Sequence, residues 1–310
     1  MSNPPDGLGP GGFPLPPNRP PDGDPPYPDQ PPGDPLVPTD LNGWFGRWIR
    51  VFRRSFWRLS LITLIVGAVL AAVAGAAAGA AFLLPGPWST GGVAGPPDTA
   101  TALVMSGAFL IAFLIGYTVF TWGQGASLYV AVMDAAGRHA GVGEALRWGA
   151  RRALPLAAWY LVGAVAVMIG ILLLILPGLY LAVVLNASLV CAVVIERDGP
   201  GRCFELIRHR FWATLGRLVL GWLVIQAYEV VLPFVLISPF VGAFALSPPD
   251  SSGAVGTIVI FLLSVVAVAA MVLPVVVAGH AMTIVTYAEL RGHENRGITT
   301  DRIADELARP

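Results

Sequence analysis

The chain has 310 residues, of which 55% are hydrophobic and only 12% are charged. This composition excludes an ordinary soluble domain, in which roughly 25% of residues are charged. The formal net charge is zero, and all 19 basic residues are arginine, a bias typical of GC-rich bacterial genomes. Two cysteines are too few for a disulfide framework or a zinc site. We therefore expect a bacterial polytopic membrane protein.

Residues 1–43 are predicted to form a disordered, proline-rich cytoplasmic tail. The first 40 residues contain 15 prolines and 6 aspartates, with Arg19 as the only basic residue. Proline fixes φ and removes backbone donors, so polyproline II character is expected. The stretch "PLPPNRPP" is of the kind that proline-recognition domains bind, which makes such a domain one candidate partner. The alternative is a solvated tail without a partner.

Six apolar runs are long enough to cross a bilayer, which takes about 20 residues of helix. They lie near residues 59–84, 102–133, 153–176, 179–195, 214–246 and 255–288. The third and fourth runs meet at Pro177 and Gly178, where we expect a tight turn. The sequence thus predicts an all-α transmembrane bundle of three helical hairpins within residues 44–292. Residues 293–310 are predicted to form a short cytoplasmic tail.

The arginines predict the orientation of the spans. The expected outer loops at residues 85–101, 177–178 and 247–254 contain Asp98 and Asp250 but no arginine. Every arginine lies in a terminal segment or near the other ends of the spans. The positive-inside rule therefore places both termini in the cytoplasm, with the spans in the bacterial inner membrane.

Three segments, residues 44–58, 142–154 and 201–215, are predicted to form basic amphipathic helices in the membrane interface. At about 100° per residue, the apolar side chains of each segment share one face. Arginine stems can follow the apolar edge and reach lipid phosphates. The arginines that we expect to contact anionic lipid headgroups are Arg47, Arg50, Arg54, Arg147, Arg151, Arg208 and Arg210. Because lipid explains the basic surface, no nucleic-acid binding is expected.

The second, fourth and sixth spans end in related sequences: "GASLYVAVMDAAG", "NASLVCAVVIERDG" and "HAMTIVTYAELRG". Each has an acid three residues before a glycine that we expect to end the helix with positive φ. The pairs are Asp134 and Gly137, Glu196 and Gly199, and Glu289 and Gly292. About ten positions before the acid, each motif has one tiny or polar residue: Gly125, Asn186 and His280. We therefore predict three copies of a unit made of a basic helix, two spans and an acid-x-x-Gly end.

The stretch "LPGLYLAVVLNASLVCAVVIERDGPGRCFELIRHRFWATLGRLVLGWL" resembles bacterial six-helix membrane proteins related to the glycerophosphoryl diester phosphodiesterase membrane domain. In those proteins, a span follows a Pro-Gly turn and ends in an acid-Gly turn before a short basic helix. The proline-rich tail is similar to that of actinobacterial members. The resemblance covers residues 44–290 and implies a membrane domain of uncharacterised function. The phosphodiesterase activity belongs to a catalytic barrel for which this chain has no room.

The sequence contains no HExxH, CxxC, Walker loop or GxSxG, so we expect neither an enzyme nor a cofactor or metal. The candidate intramembrane polar site consists of Gln226, Glu229, His280 and Asn186. A charged carboxylate within a bilayer is costly, and we hypothesise that Glu229 meets His280. This contact would be a proton or substrate site or, alternatively, an interhelical hydrogen bond.

The sequence is compatible with two functions. The first is a non-enzymatic membrane scaffold or organiser, which binds partners and anionic lipid through its tail or its basic helices. The second is a transporter of a small or lipidic substrate with a midplane site around Glu229 and His280. A sealed bundle would favour the scaffold, and a water-filled cavity that reaches Glu229 would favour the transporter.

Overall fold

The computed structural model of the chain describes residues 33–83, 99–246, 254–294 and 298–309. Within these ranges the backbone forms helices joined by turns, as the predicted all-α class requires. The helices are α1 (Leu41–Leu83), α2 (Thr99–Ala135), α3 (Val142–Leu173), α4 (Ile175–Cys191, continued by the π-helical turn Ala192–Glu196), α5 (Pro200–Ile207), α6 (Phe211–Leu246), α7 (Ala254–Glu294) and α8 (Thr300–Ala308).

Among the described residues, six helices are long and apolar enough to cross a membrane. The qualifying stretches are Leu41–Ala80, Ala102–Ala135, Val142–Leu173, Ile175–Glu196, Phe211–Leu232 and Val266–Glu294. Large apolar side chains such as Leu172 and Leu176 are exposed on the surface of the bundle, where lipid accommodates them and water does not. The prediction of a multi-pass helical membrane protein is confirmed.

Consecutive spans pack side by side. α1 packs on α2, α2 on α3, and α3 on α4. α7 packs on α1 and α4 and so closes the bundle, while α6 packs on α7 and, more lightly, on α4. α4 is the most buried of the six spans, so the other helices surround it.

The first basic segment is the beginning of α1, and α7 covers part of its apolar face. Trp44 and Trp48 are both buried. The indole of Trp44 donates to the hydroxyl of Thr286 at 3.3 Å, and that of Trp48 donates to the carbonyl of Ala278 at 2.9 Å. These hydrogen bonds fix α1 on α7 and satisfy the polar atoms of both indoles.

The other two basic segments are also helical. Residues 142–154 begin α3, and residues 201–215 are divided between α5 and the start of α6. On α5, Cys203 and Ile207 are fully buried, and burial raises the pKa of the Cys203 thiol. The apolar stripe of this amphipathic helix therefore packs within the bundle.

The turn between the third and fourth spans lies earlier than predicted. α3 ends at Leu173, Leu174 is extended, and Pro177 and Gly178 belong to the first turn of α4. Proline suits that position because the first turn of a helix leaves its N–H groups without helical partners. Gly178 allows a close contact, since a Cβ there would lie 2.4 Å from the backbone nitrogen of Ile171.

The two terminal segments meet at Asp34. Its carboxylate accepts hydrogen bonds from the backbone N–H groups of Leu36 and Val37, both at 2.9 Å. It also accepts from the backbone N–H and the hydroxyl of Thr300, at 2.9 and 2.5 Å. Asp34 is itself buried, so it joins the start of the described chain to the start of α8.

These contacts correct the predicted tails. Leu36 and Val37 are almost completely buried, as are Ile303 and Leu307 on α8. The disordered tail therefore does not extend to residue 43, and the chain after residue 293 contains a packed helix. The hydrogen bonds that Thr300 donates to Asp34 hold the two segments together, and α8 packs on α2 and on the π turn. Residues 1–32, which carry most of the predicted proline-rich tail, lie outside the described residues.

Replacing Gly178 with alanine is expected to lower the free energy of unfolding by about 1–3 kcal/mol, the usual cost of overpacking. Gly216→Ala in α6 is the matched control, because no atom lies within 4 Å of a Cβ built at Gly216. Thermal unfolding in detergent measures both variants. Equal stability of the Gly178→Ala and Gly216→Ala variants would contradict the close contact of α3 with α4.

Replacing Asp34 with alanine removes four hydrogen bonds from a buried carboxylate. We expect the free energy of unfolding to fall by about 2 kcal/mol or more, because buried donors lose a charged acceptor. Asp40→Ala is the comparison: Asp40 caps the exposed start of α1 by accepting from Gly43 at 2.9 Å, and its loss should cost about 1 kcal/mol. If the two variants unfold alike in denaturant, Asp34 does not join the terminal segments.

Candidate functional site

Two hairpins are closed at one end by an ion pair between their helices. Arg58 on α1 pairs with Asp134 on α2. Arg217 on α6 pairs with Glu289 on α7 at 2.7 Å. The two acids are those that end the predicted repeat units, and both are buried. A buried carboxylate needs such a partner, because an unpaired charge away from water is strongly unfavourable.

The middle hairpin is also closed by an arginine, but this arginine donates to a backbone carbonyl and not to a carboxylate. Arg152 on α3 donates to the carbonyl of Val194 in the π turn at 2.8 Å. Its guanidinium also lies 4.7 Å from the ring centroid of Trp148, a cation–π geometry. Each hairpin is thus closed by the last arginine of its basic segment or by one at the start of the following span, which supports the predicted repeat.

Glu196, the acid of the middle unit, is the centre of a larger cluster. Its Oε1 accepts from the hydroxyl of Tyr287 at 2.7 Å and lies 3.1 Å from Arg291 Nη1. Its Oε2 accepts from Arg202 Nε at 2.5 Å. Arg202 also binds Glu294, and the hydrogen bonds to Glu294 and Glu196 hold the pKa of its guanidinium above the usual value. The cluster ties α4, α5 and α7 together.

The glycines after the acids behave as predicted in one copy only. Gly137 has φ of +74° and lies two residues after Ala135, the last helical residue of α2. In the second copy, the left-handed residue is Arg197 (φ 62°), because the π turn brings the reversal forward, and Gly199 is extended before α5. In the third copy, α7 continues through Gly292 to Glu294. The prediction is wrong for Gly199 and Gly292.

A cavity of about 480 Å³ lies between α2, α3, α4 and α7. Its polar lining residues include Gln124 from α2, Tyr160 from α3, Asn186 from α4 and His280 from α7. Most of the other residues that line it are apolar. A largely apolar pocket with a few polar groups, within the range of roughly 300–1,000 Å³, is typical of small-molecule sites.

One ring nitrogen of His280 forms a hydrogen bond, and the other forms none with a described residue. Its Nδ1 lies 2.7 Å from the carbonyl oxygen of Val276, which can only accept, so Nδ1 carries the proton. Nε2 is buried and has no hydrogen-bond partner among the residues that the structure describes. In the neutral ring, Nε2 is therefore an unused acceptor in the wall of the cavity.

Two polar neighbours of His280 in the cavity wall, Gln124 and Asn186, can also bind a ligand. Within the described chain, neither the amide of Gln124 nor that of Asn186 forms a hydrogen bond, and Asn186 is exposed at the wall of the cavity. The hydroxyl of Thr283, by contrast, donates to the carbonyl of Gly279 at 3.1 Å. The cavity thus offers the acceptor of His280, two amides and the hydroxyl of Tyr160 to a bound molecule.

The structure brings together two of the four predicted site residues. Asn186 and His280 line the cavity, whereas Gln226 and Glu229 do not. Glu229 is exposed on α6, and no contact between it and His280 is found among the described residues. The hypothesis of a Glu229–His280 pair is replaced by a site without Glu229, because α7 turns His280 towards α2, α3 and α4.

The repeat in the sequence indicates the cavity more strongly than the intramembrane acid Glu229 does. Asn186 and His280 occupy equivalent positions of the repeat, and Gln124 is next to Gly125, the third equivalent residue. Gly125 itself packs against Gly149, with 3.6 Å between a Cβ built on it and the facing Cα. Equivalent positions of three repeated units fall at similar heights in a bundle, so their polar residues meet. Tyr160 lies outside the repeated motif, and no sequence pattern marked it.

Most of the arginines predicted to contact lipid have no protein partner. Those that are at least partly exposed and form no ion pair with a described residue are Arg50, Arg54, Arg147, Arg151, Arg208 and Arg210. Arg47 differs, because its Nε donates to the carbonyl of Asp34 at 2.8 Å. The arginines therefore divide into a paired group that closes hairpins and an exposed group left for other contacts.

Comparison with protein-family models, with curated proteins and with solved structures finds no match for this chain. The resemblance to the glycerophosphoryl diester phosphodiesterase membrane domain stays a prediction. Among the described residues, no group of three or more His, Cys, Asp and Glu side chains is arranged to hold a metal ion.

Arg217→Met is expected to lower the free energy of unfolding by about 3–5 kcal/mol, because it leaves Glu289 buried without its arginine. Adding Glu289→Leu should recover most of that loss, since an apolar pair of similar size needs no charge compensation. Arg208→Met, at an exposed arginine without an ion pair, is the control and should change stability by less than about 0.5 kcal/mol. Unfolding curves in detergent that rank the three variants otherwise would contradict the closing role of Arg217.

Proposed function

We propose that this multi-pass membrane protein binds a small or lipidic, largely apolar molecule in the His280 cavity and acts as its carrier. The free Nε2 of His280 is the observation that carries the proposal. Buried polar atoms in native proteins almost always have partners, so an unused acceptor beside an open volume supports a bound hydrogen-bond donor. The transported molecule would then carry a hydroxyl or amide N–H group on an apolar body.

A proline inside α7 supports bending of this helix next to the cavity. Pro274 lies inside α7 and has no N–H group, so it cannot donate to the carbonyl of Ala270. The hydroxyl of Tyr228 on α6 donates to that carbonyl instead, at 2.6 Å. Helices bend most readily at such a proline. We propose that bending at Pro274 changes the distance between His280 and the facing helices.

The orientation and the absence of enzymatic activity are part of the same proposal. Asp34 binds Thr300, so the two ends of the described chain lie on the same side of the bundle. The arginine distribution supports the cytoplasm of a bacterium for that side. The lack of nucleophile and metal motifs in the sequence supports a non-enzymatic role.

A scaffold is the second candidate. The exposed arginines without ion pairs, such as Arg147, Arg151 and Arg208, support contacts with anionic lipid or with a partner protein. A scaffold does not need a ligand in the cavity, so binding at His280 separates the two candidates.

A photoreactive long-chain alcohol and the matching alkane test the proposal on purified protein in lipid nanodiscs. We expect the alcohol to label the helices that line the cavity and the alkane to label them about fivefold to tenfold less, the effect of one hydrogen bond. His280→Phe should abolish that preference, whereas Glu229→Gln, outside the cavity, should keep it.

Other labelling results would contradict binding at His280. If the alcohol and the alkane label the wild-type cavity alike, or if His280→Phe retains the preference, His280 does not bind the ligand and the scaffold is favoured. If Glu229→Gln removes the preference, the site lies around Glu229, as the sequence first indicated.

A further inference from the structure

A second hollow lies on the other side of α7. It is a groove of about 530 Å³ between α1, α6 and α7. Its walls include Phe45, Phe52, Val224 and Val275, and Arg53 is the charged residue of its lining. Apart from Arg53, the groove is apolar or aromatic.

Arg53 is placed differently from its neighbours in sequence. It is exposed, and it forms no ion pair with any residue in the described parts of the chain. Arg50 and Arg54 are also exposed but line a separate small pocket against α2, beside Ala131 and Ala135. Arg53 is therefore the arginine of this helix that adjoins the groove.

The polar atoms in the groove are already satisfied. The indole N–H of Trp48 donates to the carbonyl of Ala278, and the hydroxyl of Tyr228 donates to that of Ala270. An extended peptide such as residues 1–32 would bring backbone carbonyl groups that find no donors there. A hydrocarbon chain brings none, so it fits at no such cost.

We propose that this groove binds one anionic phospholipid, with an acyl chain along the apolar walls and the phosphate on Arg53. The charge complementarity is simple: one cation adjoins an otherwise apolar groove, which matches an amphiphile with an anionic head and an apolar tail. The arginine guanidinium binds phosphate oxygens with parallel hydrogen bonds. Such a lipid would fill the space between α6 and α1 and hold α6 against the bundle.

This lipid site is independent of the carrier function. The groove contacts Pro274, Val275 and Ala278, whereas the cavity contacts Val276, Gly279 and His280 on the other face of α7. The lipid would therefore be a resident structural ligand and not the transported molecule. Each proposal is left standing if the other fails.

Native mass spectrometry of the full chain with dioleoyl phosphatidylglycerol or dioleoyl phosphatidylcholine tests the lipid site. We expect one phosphatidylglycerol to be retained per protein in preference to phosphatidylcholine. Arg53→Gln should reduce that preference about fivefold, the effect of one basic residue near an anionic lipid surface. Arg50→Gln and Arg54→Gln, on the same helix but outside the groove, should retain the wild-type preference.

A second variant tests the acyl chain. Val224→Trp fills the groove from α6, where Val224 is exposed, and should lower retention of both lipids while circular dichroism shows the helical content of the wild type. The labelling preference for the alcohol over the alkane at His280 should be unchanged in Arg53→Gln and Val224→Trp.

Three results would overturn the lipid site. In the first, Arg53→Gln keeps the full preference for phosphatidylglycerol. In the second, Arg50→Gln and Arg54→Gln lose it to the same extent, which would indicate diffuse attraction by surface charge. In the third, removal of residues 1–32 creates the lipid site, which would show that this segment occupies the groove.

Discussion

The pairing of buried acids with arginines at one end of the bundle is the constraint on which the rest of the structure depends. A carboxylate that ends a span cannot be buried alone, so Asp134 requires Arg58 of α1 and Glu289 requires Arg217 of α6. The same requirement gathers Arg202, Arg291 and Tyr287 around Glu196. Because each hairpin is closed at this end, its two helices are held in a fixed register.

That register determines which side chains face one another deeper in the bundle. With the acids aligned at one level, the residues about ten positions earlier are aligned at another, and Gln124, Asn186 and His280 meet around the cavity. The charged end thus closes the hairpins, and the cavity, deeper in the bundle, has mostly apolar walls and a buried acceptor, His280 Nε2, without a partner among the described residues.

α7 connects the two proposed sites. One face carries His280 towards the carrier cavity, and the other faces the groove beside Arg53. Pro274 and Tyr228, whose hydroxyl donates to the carbonyl of Ala270, both line the groove. A lipid in the groove would hold α6 against α7 without entering the cavity, so the two proposed sites stay independent. The exposed arginines without ion pairs are the residues that we propose to contact the surrounding anionic lipid.

The sequence by itself determined the helical class, the six spans, and the repeated unit with its acids, because apolar length and charge position act locally along the chain. It also marked Asn186 and His280. Tertiary structure decided what those residues contact: His280 faces Asn186 and not Glu229, because side-chain direction around α7 depends on how that helix packs. It likewise decided that Leu36 and α8 are buried and that Arg197, not Gly199, takes the left-handed conformation. Such outcomes depend on contacts between residues far apart in sequence, which no local pattern records.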